Sequence, residues 1–76
     1  NPADRIFRLL FERPLRAETD WIVFDQNVIQ RLTGWIRKNE EELVINVSHL
    51  PAGVYFIQLF HNKYLWKPRR FIIIHH

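Results

Sequence analysis

Apolar residues along this chain recur at a spacing of two and in short runs broken by turn formers, which predicts strands rather than helices. From Arg5 to Phe11 the alternation puts Phe7, Leu9 and Phe11 on one face. Glu12 to Arg16 carries charge and Pro14 and reads as a connection. Trp21-Ile-Val-Phe24 is rich in β-branched and aromatic residues and stops at Asp25-Gln26-Asn27, a turn-forming cluster. Val28 to Leu32 is expected to be the return strand, ended by Thr33-Gly34. Trp35 to Leu43 mixes helix formers with a weak apolar face and is expected to be an irregular connection. Leu43, Ile45 and Val47 then alternate with Val44, Asn46 and Ser48, a half-buried strand.

The last third has the same grammar. His49 to Gly53 is a loop in which Pro51 restricts Leu50 and Gly53 permits positive φ. Val54 to Phe60, the polar turn His61-Asn62-Lys63 and Tyr64 to Trp66 form a hairpin pattern. Pro68 cannot donate to a sheet ladder, so it belongs at an edge, a bulge or a strand start. Phe71-Ile72-Ile73-Ile74 closes the pattern and is apolar at every position, so neither choice of pleat leaves it a wet face. Such a strand is either covered on both faces or offers one to another chain, and at a chain end it is also a potential pairing edge. Six or seven short strands with turns between them predict an all-β antiparallel sandwich.

Composition narrows the class. Seventy-six residues make one small domain, and its six Phe, three Trp and two Tyr are a large core supply for that length. Cysteine is absent, so stability rests on the core without a disulfide, and no thiolate is available as ligand or nucleophile. A net charge of +3 permits an anionic partner without demanding one. No apolar run approaches the roughly 20 residues of a transmembrane segment. Methionine is also absent, an initiator included, which points to a processed chain or a domain excised from a larger polypeptide.

Candidate chemistry is sparse. Ser48 is the only serine, and its neighbour His49 would point to the opposite face of an extended segment, so no catalytic pair is expected. His49, His61, His75 and His76 are scattered, the last two reading as a native tail or the remnant of a tag. Glu40, Glu41 and Glu42 are consecutive and diverge, unlike calcium ligands. No metal, no cofactor and no enzyme activity follow from these residues. Lys67, Arg69 and Arg70 lie among Tyr64, Trp66 and Phe71, an interleaving also found in nucleic-acid binders, but three cations beside core aromatics do not specify nucleic acid. The Asn46-Val-Ser48 sequon falls in a predicted strand and is set aside.

Taken in order, the landmarks resemble the C-terminal sorting domain of type IX secretion cargo proteins of the Bacteroidetes. These landmarks are the opening Asn1-Pro2-Ala3, the strand pair around Trp21 to Asp25, and the run Leu50-Pro51-Ala52-Gly53-Val54-Tyr55 leading into a strand. The basic stretch Lys67 to Arg70 and the apolar end Phe71 to Ile74 complete the set. The family usually places Gly and then a cation a few residues after the Asp of the second strand pair; here Val28 and Ile29 stand there, and a different turn is needed.

The resemblance implies an immunoglobulin-like sandwich over residues 1–76 that acts as a signal for an N-terminal cargo in cis. The cargo passes through the periplasm, the type IX machinery at the outer membrane recognises the domain, and the cargo reaches the cell surface or the medium. A sortase-like cysteine peptidase commonly removes the domain, at or before Asn1 on this analogy. On this reading Gly53 and Tyr55 define the fold, while Lys67, Arg69, Arg70, Phe71, Ile72, Ile73 and Ile74 contact the translocon. The alternative is an accessory β-sandwich that binds carbohydrate or protein in an extracellular enzyme, which would show Trp21, Trp35 or Trp66 exposed on one face.

Overall fold

A computed structural model describes the backbone of residues 2–3 and the whole of residues 5–75. Asn1 and His76, both singled out above, lie outside the described residues. Among the described residues the strands are β1 (Pro2–Ala3), β2 (Ile6–Leu10), β3 (Thr19–Asp25), β4 (Gln30–Ile36), β5 (Glu42–Asn46), β6 (Gly53–His61), β7 (Tyr64–Leu65) and β8 (Arg69–Ile73), and there is no helix. The larger sheet runs β1-β8-β6-β3-β4, with β7 also on β6; the smaller pairs β2 with β5. All pairings are antiparallel except β1 with β8. The all-β class is as expected, and the two layers are consistent with an immunoglobulin-like sandwich.

The core follows from period-two alternation. Phe7 and Leu9 of β2 and Leu43 and Ile45 of β5 face inward from the small sheet. Val23, Tyr55, Ile57, Leu59, Phe71 and Ile73 meet them from the large one. Phe71 is 0% exposed and stacks on Phe7 at 4.1 Å between ring centroids, joining the two layers through one aromatic pair. Leu15 plugs the core from the 11–18 crossover. Its N–H donates to the Glu40 carbonyl and its carbonyl accepts from the Asn39 N–H, so a charged connection is tied to the β4–β5 connection.

The loop into β6 turns the chain from the small sheet to the large one. Gly53 sits at φ 153°, a conformation that favours glycine, and a Cβ there would meet nothing closer than Tyr55 Cε2 at 3.9 Å; the constraint is therefore the backbone. The Tyr55 hydroxyl donates to the Pro51 carbonyl at 2.6 Å while its ring lies 5.9 Å from that of Phe71. A tyrosine bonded back to the chain just upstream is a corner device of immunoglobulin-like sandwiches.

Two expectations are corrected. The return strand β4 begins at Gln30, not Val28, and passes through Thr33 and Gly34 to Ile36. Trp35 and Ile36 therefore belong to a strand and not to the irregular connection. Gly34 continues the strand because it lies opposite Trp21, whose indole occupies the space a side chain would take: a Cβ there would fall 2.6 Å from Trp21 Cζ2. A glycine that reads as a terminator locally is here the floor under an aromatic ring.

The turn that needed an explanation is also clear. Val28 sits at φ 62°, in the left-handed region, and the register shifts between Val23 and Phe24. Asp25 holds the turn: its carboxylate accepts the N–H groups of Asn27 at 2.8 Å and Ile29 at 3.0 Å, and Arg31 reaches it at 3.0 Å. The Ile29 N–H first, then Arg31 and the Asn27 N–H, outweigh desolvation and hold the Asp25 carboxyl below its ordinary range. Val28→Gly should stabilise the domain by about 0.5–1 kcal/mol. That is the left-handed penalty of about 1–2 kcal/mol less glycine's extra chain entropy of about 0.5–1 kcal/mol. A urea midpoint that falls in the variant would contradict it.

Candidate functional site

The C-terminal strand is divided by its pleat and is not a bare edge. Phe71 and Ile73, 0% and 1% exposed, point into the core. Arg70, Ile72 and Ile74 alternate with them toward the outer face, Ile72 half-buried and Ile74 41% exposed. One flank of β8 is paired with β6, and the other meets β1 at Ile72 and Ile73. Of the seven residues assigned to recognition from sequence, Phe71 and Ile73 are thus structural. Their side chains hold the strand in place and offer no surface to a partner.

The outward residues join a larger apolar surface. Across the sheet, Phe24 is opposite Phe56 and Phe56 is opposite Arg70, while Val54 is opposite Ile72. The Phe24 and Phe56 rings stack with centroids 5.4 Å apart. Ile22, Phe24, Val54, Phe56 and Ile72 are all half-buried, so this face of the large sheet is neither core nor ordinary polar surface. Val54, Phe56 and Phe24 were missed in the sequence reading, although a signal was present: Val54 to Phe60 is apolar at all but one position, as Phe71 to Ile74 is throughout.

Lys67 and Arg69 lie elsewhere. Both line a cleft of about 740 Å³ together with Tyr64 and Trp66 from the segment after β6 and Arg13 and Arg16 from the β2–β3 crossover. Arg69 and Arg70 are consecutive in a strand and point to opposite faces, so Arg70 is separated from Tyr64, Trp66, Lys67 and Arg69, which the cleft brings together. The three tryptophans are likewise separated. Trp35 is exposed on the outer face opposite Asp20, Trp21 covers Gly34, and Trp66 lines the cleft. The three therefore share no one stacking surface, and Trp35 alone is exposed on a face.

Trp66 is fixed although it follows the last residue of β7. Its N–H donates to the Leu59 carbonyl at 3.0 Å, and its carbonyl accepts from Gln58 Nε2 at 2.9 Å. Gln58 is a positioning residue that local sequence gave no reason to select. Ser48 Oγ donates to Asn46 Oδ1 at 2.6 Å, which commits the only serine hydroxyl to a local turn. His75 Nε2 lies 2.6 Å from the Leu50 carbonyl, which fastens the end of the chain to the loop before β6. Among the described residues no three His, Asp or Glu side chains are grouped to hold a metal ion, and no helix is long and apolar enough to cross a membrane.

Comparison with known proteins agrees with these landmarks. A family model described as the secretion system C-terminal sorting domain matches residues 1–74. No curated protein and no solved structure matches the chain significantly.

Proposed function

The chain belongs to the secretion system C-terminal sorting domain family, and from that premise we propose that the translocon reads it through the outer face of its large sheet. The family is that of type IX secretion signals, which direct a protein to the cell surface or the extracellular medium. The observation that supports the finer reading is the alignment of Arg70, Ile72 and Ile74 beside Val54 and Phe56 on one side of the terminal strand. A receptor that accepts many unrelated cargos needs one rigid feature common to all of them. An apolar patch with a cation at its margin offers contact area through the patch and orientation through the charge. Lys67, just ahead of the same strand, and Arg69, its first residue, add to the positive field on approach.

Removal of the domain by a sortase-like cysteine peptidase fits the same geometry. β1, where the chain enters the domain, is paired with β8 through Pro2–Ile72 and Ala3–Ile73. For a cargo joined ahead of β1 the junction would lie beside the strand that the translocon holds, and recognition would bring a peptidase attached to the machinery close to its bond.

Truncation of the last residues cannot test this, because it also removes Phe71 and Ile73 from the core. Arg70→Glu combined with Ile74→Asp changes only exposed side chains. Fused behind a cargo in a type IX secreting host, this variant should reduce surface or medium cargo by about tenfold or more, equivalent to a contact loss of about 1.4 kcal/mol. Cargo should collect in the periplasm with the domain's thermal midpoint unchanged. Wild-type export of a folded variant would overturn the proposal.

A further inference from the structure

The cleft between the two sheets has a composition that the outer-face reading does not use. Its interior is aliphatic, with Leu9, Leu15 and Leu59 buried beneath it, and Tyr64 and Trp66 form one wall in an edge-to-face pair at 4.6 Å. Four cations line it, Arg13 and Arg16 from the crossover and Lys67 and Arg69 from the opposite lip, against one acid, Glu12. Among the described residues the ion pairs are Arg8–Glu42 and Arg31–Asp25, so none of the four is paired with a carboxylate of a described residue. Both walls are pre-set: hydrogen bonds to Leu59 and from Gln58 hold Trp66, and Leu15 is bonded at both its N–H and its carbonyl. A cleft ordered before binding does not lose that ordering entropy when it is filled.

We propose that this cleft binds an extended acidic peptide segment of a partner protein, with apolar side chains seated on the leucines and carboxylates facing the four cations. Charge complementarity selects the acidic partner. The interior selects a peptide over a sugar, because aliphatic side chains cannot replace the hydrogen bonds that sugar hydroxyls lose on leaving water. It also selects a peptide over a simple anion, which would gain nothing from the leucines. The volume lies within the range of about 300–1,000 Å³ typical of ligand sites. Arg70 and Ile74 lie on the other face of the large sheet and take no part, so the cleft and the translocon contact are separable.

The test uses the 76-residue chain and a fluorescein-labelled peptide alternating Glu with Leu and Phe, followed by fluorescence anisotropy. Two control peptides replace every Glu by Lys, or every Leu and Phe by Ser. The acidic apolar peptide should bind at least about tenfold more tightly than either control, a difference of about 1.4 kcal/mol. K67E combined with R69E should weaken it by about tenfold or more, and Tyr64→Ala should weaken it with the thermal midpoint unchanged. Salt near 1 M, where the Debye length is about 3 Å, should remove the preference for Glu over Lys. Arg70→Glu with Ile74→Asp should leave binding unchanged, whatever it does to secretion. The proposal fails if the Lys peptide binds as well, if the cleft variants bind like wild type, or if polyglutamate or a sulfated oligosaccharide competes as effectively as the acidic apolar peptide.

Discussion

Phe71→Ala should remove a large part of the domain's stability. The ring is fully buried, stacked on Phe7 at 4.1 Å and close to Tyr55 at 5.9 Å, so its loss removes contacts to both sheets at once. Truncating a buried Phe costs about 3–5 kcal/mol, against a total stability of about 4–11 kcal/mol at the usual 0.05–0.15 kcal/mol per residue. Urea unfolding followed by circular dichroism should show the midpoint falling by about a quarter or more of its wild-type value. Phe71→Leu retains most of the apolar volume and should be clearly milder. If Phe71→Ala moved the midpoint no more than an exposed change such as Ile74→Ala does, the terminal strand would not be part of the core. This also bears on secretion, since a defect in any variant at Phe71 or Ile73 reports folding and not recognition.

Gly34→Ala should be the most damaging exposed-looking change outside that strand. One methyl group would fall 2.6–2.8 Å from three atoms of the Trp21 indole. No atom at the tip of a flexible chain can swing aside there; the whole ring must lift from β4. Overpacking of this kind costs about 1–3 kcal/mol, and each kcal/mol lowers Tm by about 4–8 °C in a domain of this size. A double-mutant cycle isolates the cause. With Trp21→Leu in the background, Gly34→Ala should cost little, because the ring that it strikes is gone. An equal loss in both backgrounds would mean that Gly34 is required for its backbone conformation and not for the space it leaves.

Both predictions mark where local reading of the chain succeeds and where it stops. The alternations Phe7–Leu9 and Leu43–Ile45–Val47 were legible because one face of each strand is core and the other is wet. Tyr55 and Gly53 were legible because a glycine in a Pro-containing loop just before an aromatic strand carries a specific backbone meaning. The extent of β4 was not legible: Gly34 breaks a strand by propensity and is retained in this one by an aromatic ring thirteen positions earlier. Nor was the position of Val28, which nearest-neighbour preferences place in a strand and which the Asp25 hydrogen bonds hold in a left-handed turn.

The candidate surfaces show the same limit. Lys67, Arg69 and Arg70 form one basic cluster along the chain, but a pleated strand sends Arg69 to the cleft and Arg70 to the outer face. Arg13 and Arg16 join Lys67 only because the β2–β3 crossover lies over the end of β6. What the residues determine alone is the element type, the inward set of each clearly amphipathic strand and the family, since these depend on periodicity and on short ordered motifs. Only the tertiary structure decides which half of Phe71 to Ile74 is hidden, which cations share a surface and how much of an apolar strand faces water. Those properties depend on what lies across the sheet and between the layers, and residues distant in sequence supply it.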